Sequence, residues 1–283
     1  MTIEKQVEIS QLSSFKNKGT IPKLITCTTI DSLQDALSQY PSHYILGKGS
    51  NTLINPDTNI EAFIKLSPEI LPNSVSGNTL QVSAGTSVNR LLTLCKTHGL
   101  SGLEFTAGVP ASLGGMVCMN FGCWGDEIAD RIDQVFILTP KKETRWVPAK
   151  ELDFQYRNSK VSHYGWVVLG ASFSLSKSTP ELVNKICKDN VEKRIAKQPL
   201  RAATFGCIFK NPKDHYAGEI IEALGFRGKE LNKSLSISQE HANFMVNHGQ
   251  SSFSDTITAI QMIQREALSK RNITLELEVK LVH

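Results

Sequence analysis

No stretch of this 283-residue chain approaches 18 consecutive apolar residues, and no apolar segment follows a basic start at its N-terminus. A membrane-spanning helix and a secretory leader are therefore not expected, and the chain reads as cytoplasmic. Excess charge is also lacking: 31 Lys+Arg against 27 Asp+Glu leave +4, too mild and dispersed to argue for nucleic acid but compatible with an anionic small molecule. The six cysteines (Cys27, Cys95, Cys118, Cys123, Cys187, Cys207) contain no CxxC pair. Cys118 and Cys123 lack a second pair to complete a zinc site, so no metal is expected and the thiols read as reduced. Internal repeats and low-complexity segments are missing as well.

A further absence concerns Gly47-Lys48-Gly49-Ser50-Asn51-Thr52, which looks like half of a dinucleotide fingerprint without its third glycine. Leu53-Ile54-Asn55-Pro56 follows, a strand and turn where a Rossmann site needs the N-terminus of a helix. That fold is excluded here. A nest of successive N–H groups around an anion remains available.

What is present is ordinary globular material, 40% hydrophobic and 20% charged, at a length that suggests two or three packed units. The conspicuous bias is seven glycines in the 27 residues from Gly99 to Gly125. Apolar neighbours (Leu103, Phe105, Val109, Leu113, Met116, Val117) argue against a floppy linker. Ordered backbone this rich in glycine suits close approach to a flat or phosphorylated ligand, or a set of tight turns.

The N-terminal pattern is β-α-β: a strand at Leu24–Thr29, a helix capped by Asp31 with Gln34 completing a capping box, and a strand at Tyr44–Leu46. Leu80–Ser83 is a strand, and Thr86 or Ser87 caps a helix carrying Val88, Leu91, Leu92 and Cys95 on one face. Strands follow at Gln134–Leu138, Thr144–Val147 and Trp166–Leu175. Thr179-Pro180-Glu181 starts a helix that ends near Lys197, before Pro199. Helices are expected over about Ala217–Leu224 and Ser254–Lys270. A closing strand over Thr274–Val282 alternates Leu275, Leu277, Val279 and Leu281 with Glu276, Glu278 and Lys280, spacing the two acids about 7 Å apart on one face.

Three places could carry chemistry. Glu278 is an acid on a half-polar strand, where a solvated face is the commoner case and nothing in the pattern alone makes it catalytic. Cys207 stands in Gly206-Cys207-Ile208-Phe209-Lys210-Asn211-Pro212, as a presented thiol or a buried structural one. Arg157 stands among hydrogen-bonding side chains in Tyr156-Arg157-Asn158-Ser159, as a functional cation or a surface arginine stacked on tyrosine. Lys197 can serve a ligand or simply complement its helix C-terminus.

Taken together, these segments resemble the UDP-N-acetylenolpyruvoylglucosamine reductase family nearly end to end and in order. The matching segments are Gly47–Asn51, Ser83-Ala84-Gly85-Thr86, Gly102–Phe105 through Gly108-Val109-Pro110, Gly114-Gly115, Asn120-Phe121-Gly122, Tyr156–Ser159, Lys197-Gln198-Pro199, Gly206–Pro212, Ala217-Gly218, His241–Phe244 and Leu275–Val279. The resemblance implies an α+β fold: a two-lobed FAD-binding region of the vanillyl-alcohol-oxidase type (1–178, lobes about 1–68 and 69–178) and a smaller C-terminal α+β substrate domain (179–283). It implies FAD as cofactor, NADPH as co-substrate and an enolpyruvyl nucleotide sugar as substrate, with no nucleic-acid or membrane partner, in a monomer. FAD contacts are implied at Gly47, Lys48, Gly49, Ser50, Asn51, Thr52, Ala84, Gly85, Thr106, Gly108, Val109, Pro110, Ser112, Gly114, Gly115, Asn120, Gly122 and Ile128. Catalytic roles fall to Arg157, Cys207 and Glu278, and substrate contacts to Tyr156, Lys197, Lys210, Asn211 and Asn243. The competing readings are another FAD oxidoreductase or oxidase of the same cofactor fold, and a nucleotide-binding protein without catalysis.

Four positions depart from the family pattern: Cys207 for a serine, Lys48 for a glycine, Cys123-Trp124 for a small-aromatic pair and Leu277 for a proline. A free thiol has a reference pKa of about 8.5, is mostly protonated near neutrality and so is a competent proton donor. The missing insertion around Gly170–Pro180 resembles the shorter form of the family.

Overall fold

The protein is described by a computed structural model covering residues 1–249 and 251–283. It divides into two compact units, each discontinuous in sequence. The first comprises residues 1–4, 24–47 and 61–193, and the second 5–23, 48–60 and 194–283.

In the first unit, the strands Thr20–Cys27 (from Leu24 on) and His43–Ile45 flank Ala62–Leu66 in parallel. The helix Ile30–Gln39 links two of them. Its apolar stripe, Leu33 and Ala36, is fully buried with Ile25, Cys27 and Ile64. The expected cap moves by two residues. Thr29 is the N-cap, and Ser32 closes a reciprocal capping box with it. Gln34 instead donates from its side chain to the Lys142 carbonyl. A hydroxyl residue directly before the helix reaches the N3 amide better than an acid already inside the first turn.

A five-stranded sheet follows, in the order Thr144–Pro148, Ile132–Leu138, Val167–Ser174, Thr79–Ser83, Ser74–Ser76. Its central strand is buried along almost its whole length. Val167 and Leu169 join the core under the first helix, whereas Val168, Ala171 and Phe173 join a second core with Leu80, Val82, Leu91 and Val135. The switch in alternation coincides with a register shift opposite Phe136/Ile137. One extra residue there turns the following side chains to the other face. The helix Val88–Thr97 packs its predicted stripe into this second core, capped by Ser87. Cys95 and Cys187 belong to the same core, and burial pushes the Cys95 thiol up to about 12 and raises that of Cys187. Both are inert packing groups.

The second unit has a separate core of Phe15, Leu53, Phe205, Phe209, Ile221, Met245, Ile260 and Ile263. The helices Ala217–Ala223 and Phe253–Arg271, and the antiparallel strands Glu230–Asn232, Leu235–Ile237 and Met245–Asn247, surround it. The long helix starts from a Ser252/Asp255 capping box and ends at Asn272 in the left-handed region. Here the expected closing strand is corrected. Only Lys280–Val282 is strand, paired in parallel with Thr52–Ile54. The preceding residues make an isolated bridge from Leu277 to Phe209 and a bend at Val279. Strict alternation therefore fails: Leu275 and Val279 are buried, while Leu277 and Glu278 are both half-buried.

Asn247, 4% exposed, joins the N-terminal insertion to this unit. Its Nδ2 donates to the carbonyls of Phe15 and Lys16, and its Oδ1 accepts from the amides of Gly249 and Ser251. Asn247→Ala should leave several of these groups buried without partners, each costing about 1–3 kcal/mol. Its denaturant midpoint should fall well below that of a neutral surface variant such as Lys233→Ala.

Candidate active site

Three of the expected cofactor segments meet within the first unit. The amide of Gly114 donates to Ala84, that of Leu113 to Thr86 and that of Val88 to Ala111, while Ser87 and Ser112 form a bridge. Packing here is backbone against backbone. A Cβ added at Gly47 would lie 2.7 Å from Ser112 Oγ, one at Gly114 3.1 Å from Ala84 Cβ, and one at Gly85 2.3 Å from the Leu66 carbonyl. At Gly115 the nearest atom is 3.5 Å away. The glycines thus allow the loop Gly47, the turn Ala84-Gly85 and the helix Leu113–Cys118 to pack without side chains between them.

Two fully buried hydroxyls beside this cluster, Ser83 Oγ and Thr86 Oγ1, have no hydrogen-bond partner. Such groups are costly unless something satisfies them. Close-packed glycine backbone with orphaned hydroxyls is what a polar, flat cofactor such as FAD requires, so the residues present fit that group. Neither hydroxyl stood among the sequence-based contacts. Both residues stand in the matched segment Ser83–Thr86, and the sequence also offers Thr86 as a helix cap, a role that Ser87 takes.

Other expected contacts serve the chain's own structure. Thr106 is fully buried with its hydroxyl donating to the Leu103 carbonyl, and Ile128 is fully buried. Gly108 turns the chain at φ +83°, ahead of half-buried Val109 and exposed Pro110. Asn120, fully buried at φ +44°, directs its carboxamide to Glu127, Gln155 and Ala129. Arg157, half-buried at φ +57°, donates from Nη2 to the Gly122 carbonyl at 2.9 Å. Its guanidinium lies 4.9 Å over the ring of Tyr156, which is 44% exposed.

The second unit brings together the rest. Phe205–Lys210 runs between two neighbours. On one side the amide of Ile208 donates to Asn243, and Asn243 clamps Phe209 by accepting from its amide and donating to its carbonyl. Asn243 is only 2% exposed, so its carboxamide serves this segment. On the other side the Glu278 amide donates to the Ile208 carbonyl at 2.9 Å. Cys207, half-buried and outside any disulfide, and Glu278 thus sit on adjacent backbone.

The loop Gly49–Thr52 joins them. Asn51 Nδ2 donates to the Glu278 carbonyl at 3.1 Å, and the Asn51 carbonyl accepts from Lys280. A Cβ on Gly206 would be 3.8 Å from the Ser50 carbonyl. Gly49 holds φ +64° against the Leu12 carbonyl, where a Cβ would approach to 2.1 Å, so no other residue is accommodated. Thr52 is buried in its strand and Lys48 is exposed.

Lys210 pairs with the exposed Glu276. Asn211 Oδ1 accepts from the Ala217 amide and caps that helix. Lys197 is exposed just beyond the helix Pro180–Ile195. His241 Nδ1 accepts from the Asn243 amide, while burial and then Arg227 hold its pKa below the usual imidazole value, consistent with a neutral ring. Among the described residues, no cluster of His, Cys, Asp and Glu could hold a metal ion, and no helix is long and apolar enough to cross a membrane.

Known proteins resemble this chain along nearly its whole length. A family model described as UDP-N-acetylenolpyruvoylglucosamine reductase, C-terminal domain, matches residues 198–282, and an FAD binding domain model matches 22–147. The UDP-N-acetylenolpyruvoylglucosamine reductase of Alkaliphilus oremlandii is 30% identical over 95% of this chain and 90% of its own length. That of Chlamydia felis is 32% identical over 99% and 95%. The crystal structure of the Thermus caldophilus UDP-N-acetylenolpyruvylglucosamine reductase superposes with a TM-score of 0.87 at 30% identity, covering all of both chains. The chain, an FAD-binding oxidoreductase of α+β fold, belongs to the UDP-N-acetylenolpyruvoylglucosamine reductase family.

Proposed function

We propose that the protein reduces the enolpyruvyl ether of UDP-N-acetylglucosamine to UDP-N-acetylmuramate with NADPH, for peptidoglycan precursor synthesis, as a cytoplasmic monomer. The observation that carries the detailed reading is that the Asn51 side chain and the Ile208 carbonyl both hydrogen-bond to the Glu278 backbone, which ties the loop Gly49–Thr52 and the Cys207 segment to that acid. A glycine loop suited to a phosphorylated cofactor, a thiol and an acid are thereby fixed together. An oxidase of the same cofactor fold has no need of that thiol and acid.

FAD, held along the backbone of Ala84, Gly85, Ser112 and Gly114, would supply the redox chemistry, with NADPH as the source of the hydride that reaches the terminal vinyl carbon of the substrate. Negative charge then develops on the adjacent carbon and spreads onto the carboxylate. Arg157 answers that charge, because its planar fork meets a carboxylate bidentately. Glu278 assists only with its proton in place, since a bare carboxylate would repel the developing charge. The Cys207 thiol gives its proton to the carbon, and the thiolate recovers one from water. Ser83 and Thr86 offer hydroxyls to the cofactor, beside the backbone of Ala84, Gly85, Ser112 and Gly114. Lys210, Lys197, Asn211 and Tyr156 serve the diphosphate and sugar. Asn243 acts by holding Phe209 in place.

Cys207→Ala should keep FAD and be reduced by NADPH while losing reoxidation by the enolpyruvyl substrate by on the order of 100–1000-fold. Stopped-flow flavin absorbance separates the two steps, and Cys207→Ser should retain substantial turnover. Lys210→Ala should raise the substrate KM roughly tenfold with little change in kcat, the pattern for an interaction of equal strength in ground and transition states. Glu276→Gln, which releases Lys210 from its ion pair, should lower KM. Thr86→Val should weaken FAD binding to the apoprotein by about tenfold, as expected for one lost hydrogen bond of about 1.4 kcal/mol, read by fluorescence titration.

A further inference from the structure

Tyr156 and Arg157 form the tip of a tight turn in which Gln155 and Asn158 exchange both backbone hydrogen bonds at 3.0 Å. At φ +57°, Arg157 occupies a region that a side-chain-bearing residue keeps only when its surroundings impose it. Those surroundings lead to Glu127, which has no role in the function proposed above. Asn120 Nδ2 donates to the Gln155 carbonyl at 3.1 Å, gripping the base of the turn. The same nitrogen donates to Glu127 Oε2 at 2.6 Å, and Asn120 Oδ1 accepts from the Ala129 amide. A flipped carboxamide would set oxygen against carboxylate and NH₂ against N–H, so Glu127 and Ala129 together decide which way it points. Glu127 is also the register partner of Gly122, whose carbonyl receives the Arg157 guanidinium. The side chain of Glu127 thus governs the base of the turn, and its backbone governs the acceptor at the tip.

We propose that Glu127, acting through Asn120, is a positioning residue that holds Arg157 in its left-handed conformation for the substrate carboxylate. The proposal rests on the reading of Arg157 as the carboxylate ligand. Glu127 touches no reacting atom, and the signature of its loss is a defect confined to the step that uses Arg157.

The test compares E127A, E127Q, Asn120→Asp and R157A in the FAD-loaded protein. E127A should slow reoxidation of reduced flavin by the enolpyruvyl nucleotide sugar roughly 10–100-fold, with reduction by NADPH within about twofold of native. E127Q retains an acceptor oxygen and should recover most of the loss. Asn120→Asp, similar in shape but without the donor, should slow reoxidation as E127A does and serves if that variant folds poorly. The double variant E127A/R157A should be no slower than R157A alone. In the apoprotein, amide exchange across residues 153–159 should quicken by about tenfold in E127A and stay near native in E127Q.

Native reoxidation in E127A and Asn120→Asp beside a slow R157A would overturn the role of Glu127 and leave that of Arg157 standing. Native reoxidation in R157A would overturn both. Equal losses in E127A and E127Q, or additive losses in the double variant, would mark a general structural defect and sink the proposal.

Discussion

The main-chain and carboxamide hydrogen bonds that hold Phe205–Lys210 between Asn243 on one side and Glu278 on the other are the constraint on which the chemistry of the second unit depends. Neither Cys207 nor Glu278 lies in a regular sheet. The thiol sits on an isolated bridge and the acid beside a bend. Side chains on irregular backbone keep their direction only if every nearby peptide is tied. Here the ties come from a buried carboxamide, the Ile208 carbonyl and Asn51, the last more than two hundred residues from Glu278.

The first unit meets a different demand. Its glycine-rich segment brings peptide groups of Gly47, Ala84-Gly85 and Ser112–Gly115 together with no side chains between them. The large folding entropy lost by glycine is offset by the cores beneath, where Phe105, Leu113, Met116 and Val117 are buried. The apolar residues noted within the glycine run are these anchors, which is why the segment is ordered. The same economy appears at Asn120, whose polar atoms all serve the chain and so stiffen the turn bearing Arg157.

Much of this was legible in the chain itself. The helix faces at Leu33/Ala36 and Val88/Leu91/Leu92/Cys95, the proline start at Pro180 and the strands at 132–138, 144–148 and 167–174 follow from period, caps and β-branched runs, all of them local causes. The capping box at Thr29 was misread because Asp31 and Thr29 both satisfy the pattern, and only geometry shows which oxygen reaches the amide. The closing strand was overextended because alternation records half-burial, not pairing. The partner strand, Thr52–Ile54, is distant in sequence and pairs with only three residues.

By itself the sequence determined the class of elements, the order of the motifs, the exclusion of a Rossmann site and the family resemblance, since these depend on neighbouring residues and on motif order along the chain. Tertiary structure alone decided that residues 5–23 and 48–60 belong with the C-terminal unit, that the hydroxyls of Ser83 and Thr86 lack partners, and that Asn51 and Ile208, the neighbour of Cys207, both hydrogen-bond to the Glu278 backbone. Contacts between distant segments form only when each closes a loop and buries its own apolar face. Their energy therefore resides in the folded arrangement and leaves no periodic trace in the chain.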